Sequence, residues 1–309
     1  MLAFTCGDPA GVGPEIIGRW LADHPNEAKG IAVIGAESWL ETLPAAGARV
    51  AVGEGGFAAR PGKPTEEGAR IAWAAMERAA EGTRRGEFGG VVTGPVSKEW
   101  LARVGYKFPG QTEFFAARWG GEPTMAFSGG RLRVVLLSWH IPLREVPGVL
   151  TPANFVRTIV AADELARAEG VAAPRIGVCG INPHAGEAGL LGRDEIDVIE
   201  PILAPLRERF PGLSRCEPGD TLFGRQLRGE FDVVLAIYHD QGLAPLKVID
   251  FDSSVNITLG LPHVRTSPDH GTAFGIAGQG KASPTSFSNA VALARRLVAF
   301  RAARGSGKV

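Results

Sequence analysis

Cysteine is scarce in this chain. Cys6, Cys179 and Cys216 lie far apart, are odd in number and form no CxxC pair. A disulfide framework is therefore not expected, and the three read as reduced thiols of a cytoplasmic protein. An excess of charge is also missing: Lys plus Arg and Asp plus Glu number 33 each in 309 residues. No net basic field exists to attract nucleic acid or an anionic membrane. No apolar run approaches the roughly 18 residues of a membrane span. The start, MLAFTCGDPAG, carries neither a basic leader nor an apolar segment of signal length. Repeats and low-complexity segments are absent. So are two common nucleotide signatures. GDPAGVGPEI, Gly7 to Ile16, is not a P-loop, because no Gly-Lys-Ser/Thr follows; it is not the dinucleotide fingerprint either, because Gly11 and Gly13 lack a third glycine at the right spacing.

What is present is typical of a globular chain: 45% hydrophobic and 21% charged residues, with length for one large or two modest domains. LAFT, IAVIG, GVVTG, LRVVLLS, RIGVCGI, FDVVLAI and SVNITL read as strands. Between them stand helical patterns. PTEEGARIAWAAMERAAEG is Ala-rich with Thr65 near its start; NFVRTIVAADELARAEG and RDEIDVIEPILAPLRERF are amphipathic, the second bent or interrupted at Pro201 or Pro205; SFSNAVALARRLVAFRAARG closes the chain. The alternation argues for an α/β architecture with a largely parallel sheet. Gly305 to Val309 are expected to fray. Glycine, 42 residues, clusters just after the strands, where turns and ligand approach need it. No linker marks a domain boundary.

Three of the six histidines share a setting, an apolar strand followed by a polar turn: His140 in LLSWHIPL, His184 in VCGINPHAGE and His239 in LAIYHDQG. Ligands of open α/β sheets bind beyond the carboxyl ends of strands. Three imidazoles there could share a divalent ion and leave one position open, the catalytic pattern. Each taken alone is equally well a hydrogen-bonded turn residue. His24 and His263 read as ordinary; His270, in SPDHGTA, reads as opening a helix, with its role left open. Pro14 suits a first helical turn, with Asp8 a local cap or a site residue. Ser97 in TGPVSKEWL reads as an N-cap. Gln111 and Thr112 in GQTEFFA read as cap residues or as donors to a phosphate or carboxylate. Lys247, Asn256 and Arg265 supply cationic and amide donors suited to a small, multiply charged anion, or else to surface ion pairs. GQGKASPTSF reads as a loop or as a cofactor edge.

Together GDPAGVGPEI, TGPVSKEWL, GQTEFFA, INPHAGEAGLLGRDE, YHDQGLAPLK and VNITLGLPHVRTSPDHGTA resemble the 4-hydroxythreonine-4-phosphate dehydrogenase family of pyridoxal phosphate synthesis, from Leu2 to about Ala299. The resemblance implies two α/β/α domains with a cleft between them, like isocitrate and isopropylmalate dehydrogenases, which bind NAD(P) without the missing fingerprint. It places a discontinuous first domain at 1–125 plus 284–309 and a second, with metal and dimer contacts, at 126–283.

The resemblance also implies roles. His140, His184 and His239 match the metal-ligand positions, with the third histidine supplied by the partner chain of a homodimer. Lys247, Asn256, Arg265, Gln111 and Thr112 match substrate-contacting positions. Many members carry His where this chain has Gln111, and an amide cannot take up a proton as imidazole can. Asp220 in PGDTLF and Asp240 join Lys247 as catalytic candidates, Lys247 as acid/base, with Gly242 read as the turn between His239 and Lys247. The implied reaction is NAD(P)+-dependent oxidation of the C3 alcohol of 4-phosphooxy-L-threonine, then loss of carbon dioxide to give 3-amino-2-oxopropyl phosphate. A divalent ion (zinc, cobalt, manganese or magnesium) would assist. NAD and NADP stay undistinguished. The departure at Gln111 keeps 4-phospho-threonate or 4-phospho-erythronate as rival substrates. A metal-dependent hydrolase or aldolase, and a silent binding protein, are the readings from other classes.

Overall fold

A computed structural model describes residues 1–305. The chain divides into two compact units, Met1–Pro123 with Leu261–Val298, and Thr124–Gly260 with the end of the last helix. Strands in chain order are β1 (Leu2–Thr5), β2 (Ile31–Gly35), β3 (Ala48–Ala51), β4 (Gly90–Thr93), β5 (Thr124–Ser128), β6 (Arg133–Leu136), β7 (Ile176–Cys179), β8 (Leu213–Glu217), β9 (Val233–Ala236), β10 (Val255–Leu259) and β11 (Val264–Pro268).

In the first unit the order is β3-β2-β1-β4-β11, and every neighbouring pair is parallel. β1, β2 and β4 are buried at every residue, as expected of parallel strands covered on both faces. The helix Glu66–Arg84 covers them. Thr65 caps it, its hydroxyl accepting from the Gly68 N–H at 3.1 Å. Its buried face is mostly small, with Ala69, Ala72, Ala75 and Ala79, so it lies close to the sheet beside Met76, Phe114 and Phe115.

In the second unit the order is β10-β5-β6-β9-β7-β8. β5 pairs antiparallel with β10 on one side and with β6 on the other, while β6, β9, β7 and β8 run parallel. The helix Pro152–Ala168 starts at Thr151, whose hydroxyl accepts from the Asn154 N–H at 3.3 Å. It buries Phe155, Ile159, Ala162 and Leu165, the larger three stabilising the unit by about 1.5–3 kcal/mol apiece.

Several local expectations are corrected. β3, β5, β8 and β11 form from stretches that lack an apolar run. In the helical segment after Arg193 the irregularity falls just before Pro201, and Pro205 lies inside an unbroken α-helix. A π turn, Glu195–Ile199, runs directly into the α-helix Glu200–Arg209. Pro201 falls in the first turn of that helix, where no intrahelical N–H is needed. His270 opens no helix; a bend and a short 3₁₀ turn, Phe274–Ile276, follow it. Asp8 does not cap the helix Gly13–Asp23, whose N-cap position is Val12; its carboxylate accepts from the Ala10 N–H at 3.0 Å instead. The expected fraying of Gly305 to Val309 lies, from residue 306 on, outside the described residues. Among the described residues no helix is long and apolar enough to cross a membrane.

Candidate active site

The strand register explains why two histidines meet. β6 and β9 pair in parallel, Leu136 opposite Ala236. The ladder continues past both strands, with the Leu137 N–H donating to Ala236 O at 2.9 Å and the Ser138 N–H to Ile237 O at 3.2 Å. The two chains thus leave the sheet side by side, and His140 and His239 follow within four residues. Their ring centroids are 5.7 Å apart, tilted by 35°. They line a cavity of about 320 Å³ with Ser138, Trp139, Ile141, Leu143, Val146, Tyr238 and Asp240. The Arg157 guanidinium lies 5.5 Å over the Trp139 ring and donates to Leu137 O at 3.0 Å, which fixes one wall.

β7 pairs in parallel with β9 on its other side, so His184, five residues beyond Cys179, leaves the same edge of the sheet. Within the one chain no group of three His, Cys, Asp or Glu side chains able to hold a metal occurs among the described residues. The structure therefore joins His140 to His239 and leaves His184 outside that pair.

Two of the three histidines sit on strained backbone. His140 has φ of 38°. His184 begins a run of positive φ through Ala188, at 51°, 51°, 82°, 43° and 54°. A left-handed conformation costs a non-glycine residue roughly 1–2 kcal/mol, and such strain gathers at functional sites. His239 is different. It is the first residue of the helix His239–Asp250, and its Nδ1 lies 2.7 Å from the Asp240 carboxylate. An Nδ1–H donated there leaves Nε2 with its lone pair free for a cation.

The turn assigned to Gly242 does not exist. Gly242 is the fourth residue of that helix and is buried. A Cβ there would stand 2.7 Å from Val134 Cγ1 and 3.0 Å from both Ala236 Cβ and Leu136 Cδ2, so glycine lets the helix lie against β6 and β9. Lys247 consequently sits eight residues along the helix from His239, about 12 Å of rise. Its ammonium lies 5.4 Å over the ring of Phe251. Asn256 lies on β10, and Asp220 is an exposed residue in the first turn of the helix Gly219–Leu227.

The remaining candidates lie in the first unit. Arg265 on β11 is buried and donates from Nη2 and Nε to the Thr93 hydroxyl at 2.9 and 3.3 Å. Burial lowers its pKa to about 10, so it stays cationic at neutral pH. Gln111 opens the helix Gln111–Trp119 after Gly110 and donates through Nε2 to Gly94 O at 3.3 Å; its Oε1 is buried with no partner. Thr112 is buried beside it. His24 and His263 have structural settings, the first stacked on Trp20 and the second edge-on to Trp119.

Two residues around the site carried no role in the sequence. Glu195 is buried and accepts the backbone N–H groups of Ile181 and Asn182, both at 2.8 Å. Gln241 accepts from the Ile237 N–H and donates to Gly180 O, each at 2.7 Å. Both stand in the long motifs around the histidines. Motif length was the one available signal.

Comparison with known proteins identifies the family. Residues 24–294 match the family described as pyridoxal phosphate biosynthetic protein PdxA. This chain belongs to the PdxA family. A 4-hydroxythreonine-4-phosphate dehydrogenase of Aromatoleum aromaticum is 44% identical over 97% of both chains. The crystal structure of the Klebsiella pneumoniae enzyme of that name superposes with a TM-score of 0.81 at 34% identity, covering 96% of this chain and 99% of the other. A terephthalate 1,2-cis-dihydrodiol dehydrogenase from Burkholderia xenovorans follows at a TM-score of 0.71 and 28% identity, covering 96% and 97%. The PdxA-family chain is thus an oxidoreductase with an α/β fold.

Proposed function

We propose that this PdxA-family enzyme oxidises the C3 alcohol of 4-phosphooxy-L-threonine with NAD+ or NADP+, and that the resulting β-keto acid loses carbon dioxide to give 3-amino-2-oxopropyl phosphate. The observation that carries the reading is the His140–His239 pair, facing a cavity at the carboxyl ends of β6 and β9. The donor set suits a divalent cation. Two imidazoles lie within reach of one ion, and the Asp240 carboxylate orients one of them. The resemblance has His239 crossing from the partner; with His239 beside His140 in one chain, the third imidazole from a second copy would instead be a His184. Leu143, Leu190, Val248 and Phe251, all in the same unit, are exposed large apolar side chains available to a homodimer interface.

When bound, the cation supplies Lewis acidity toward the alcohol and the ketone it becomes. The side chains of the protein do the rest. Arg265 presents a planar, permanently charged fork to an anionic group of the substrate. Thr112 and Asn256 offer hydrogen bonds. Lys247 is the acid/base candidate for the alcohol proton, and the exposed carboxylates of Asp240 and Asp220 complete the set. Hydride departs to the nicotinamide as the proton leaves, and decarboxylation returns one proton to carbon.

Gln111 favours a second reading. Its buried, unpartnered Oε1 accepts a donor but cannot bind a proton as histidine would. A hydroxyl of 4-phospho-threonate or 4-phospho-erythronate satisfies it as an ammonium does. The deciding experiment follows reduced nicotinamide with each substrate, each cofactor, and with or without chelator. Chelator-sensitive reduction with the amino acid supports the first reading. Reduction with the sugar acids alone moves the protein to the second. Silence with all substrates and several metals overturns both.

A further inference from the structure

We infer that Glu195 is a positioning residue that holds His184 in its left-handed turn, and that Gln241 ties this turn to the helix carrying His239. The inference rests on the three-histidine metal reading above. His184 to Ala188 all have positive φ, and only Gly186 among them is glycine. Such a run does not persist without an external restraint. The Glu195 carboxylate supplies it. Oε1 accepts from the Ile181 and Asn182 N–H groups at 2.8 Å, and Oε2 from Asn182 Nδ2 at 3.0 Å. The turn itself packs on the same oxygen, since a Cβ at Gly186 would lie 2.7 Å from Oε2. Glu195 is only 2% exposed and is the first residue of the π turn Glu195–Ile199, an irregularity common at functional sites.

The restraint does not end in the core. Gly180, just before this turn, accepts from Gln241 Nε2, and Gln241 Oε1 accepts from the Ile237 N–H two residues before His239. Two histidine-bearing segments are thereby held in one hydrogen-bonded frame.

The test titrates metal-stripped protein with Zn2+ by calorimetry, at a temperature where circular dichroism shows every variant folded. Glu195→Gln keeps the volume but turns an amide N–H2 toward donors. Zn2+ affinity is expected to fall about 10–100-fold, the range for groups that orient metal ligands. Asn182→Ser removes one bond to the same carboxylate and carries the test if Glu195→Gln does not fold; a smaller loss is expected there. A merely structural role would lower the melting temperature and leave Zn2+ affinity of the folded protein unchanged, which overturns the inference. His184→Ala separates the two levels. Unchanged binding in that variant, or no binding by the wild type, overturns the metal reading itself and this inference with it.

Discussion

The His239 imidazole and the Asp240 carboxylate, neighbours in sequence, are paired at 2.7 Å through Nδ1 at the very start of a helix. Asp240 is 87% exposed at its side chain, so the pair contributes little to stability by itself. Its consequence is orientation: with Nδ1 bonded to Asp240, Nε2 is left for a cation. Asp240→Asn should leave the melting temperature unchanged and weaken Zn2+ binding about 10-fold, the low end for an orienting carboxylate because water competes for the bond. Equilibrium dialysis of the metal-stripped variant measures it. Unchanged affinity would show the pair to be incidental.

Gly242 decides how closely that helix approaches the sheet. Helix propensity alone favours alanine by about 1 kcal/mol. The added methyl would meet Val134, Ala236 and Leu136, residues anchored in two paired strands that cannot easily give way. Overpacking of this kind costs about 1–3 kcal/mol, so the clash wins. Gly242→Ala should unfold at lower denaturant than wild type, and a midpoint at or above the wild-type value would sink the packing argument.

Legibility of the fold followed burial. The seven strands read from apolar runs all formed, because strands covered on both faces usually read as near-continuous apolar runs. ARVA and LSRCE at β3 and β8 escaped notice because each is the outermost strand of its unit's order and carries arginine. β11 was hidden by its buried arginine, Arg265, in VRTSP. The histidines were legible as a set because each follows a strand. Their restraints were not. Glu195 lies 11 residues beyond His184 and reads as one acid among several, and Gln241 acts on Gly180, 61 residues away. Gly242 was misread as a turn because glycine after a strand usually makes one; here the helix starts three residues earlier.

Asp8 gives a pH dependence of definite sign. Burial raises its pKa above the ordinary carboxylate value, against a smaller opposing effect of the Ala10 N–H. The folded state therefore keeps this proton to higher pH than the unfolded chain. Its contribution to stability is full below about pH 3.9, the unfolded value, and is lost as pH rises through the raised folded value. Asp8→Asn removes the titration. The stability of the variant relative to wild type should increase between about pH 4 and 7, as measured by urea unfolding at each pH. A constant difference would show that Asp8 ionises alike in both states.

Arg265 separates a binding role from a structural one. Its charge is held at 3% exposure, and burial lowers its pKa to about 10. Replacing a whole buried ion pair by apolar groups is often neutral or stabilising, but removing one partnered buried charge costs about 3–5 kcal/mol. Arg265 has partners to leave behind, the Thr93 hydroxyl among them. A hydrogen bond to a charged group contributes about 1.5–3 kcal/mol, or roughly 10–100-fold in binding. Arg265→Met should therefore lower the melting temperature and also raise the Kd of the phosphorylated substrate roughly 10–100-fold. Arg265→Lys should not restore it, because an ammonium lacks the planar fork and has no second nitrogen to keep both contacts to Thr93. Calorimetric binding with each variant, beside a thermal melt, reads both quantities. A lowered melting temperature with unchanged substrate affinity would make Arg265 a structural residue, its two bonds to the Thr93 hydroxyl serving only to join β11 to β4.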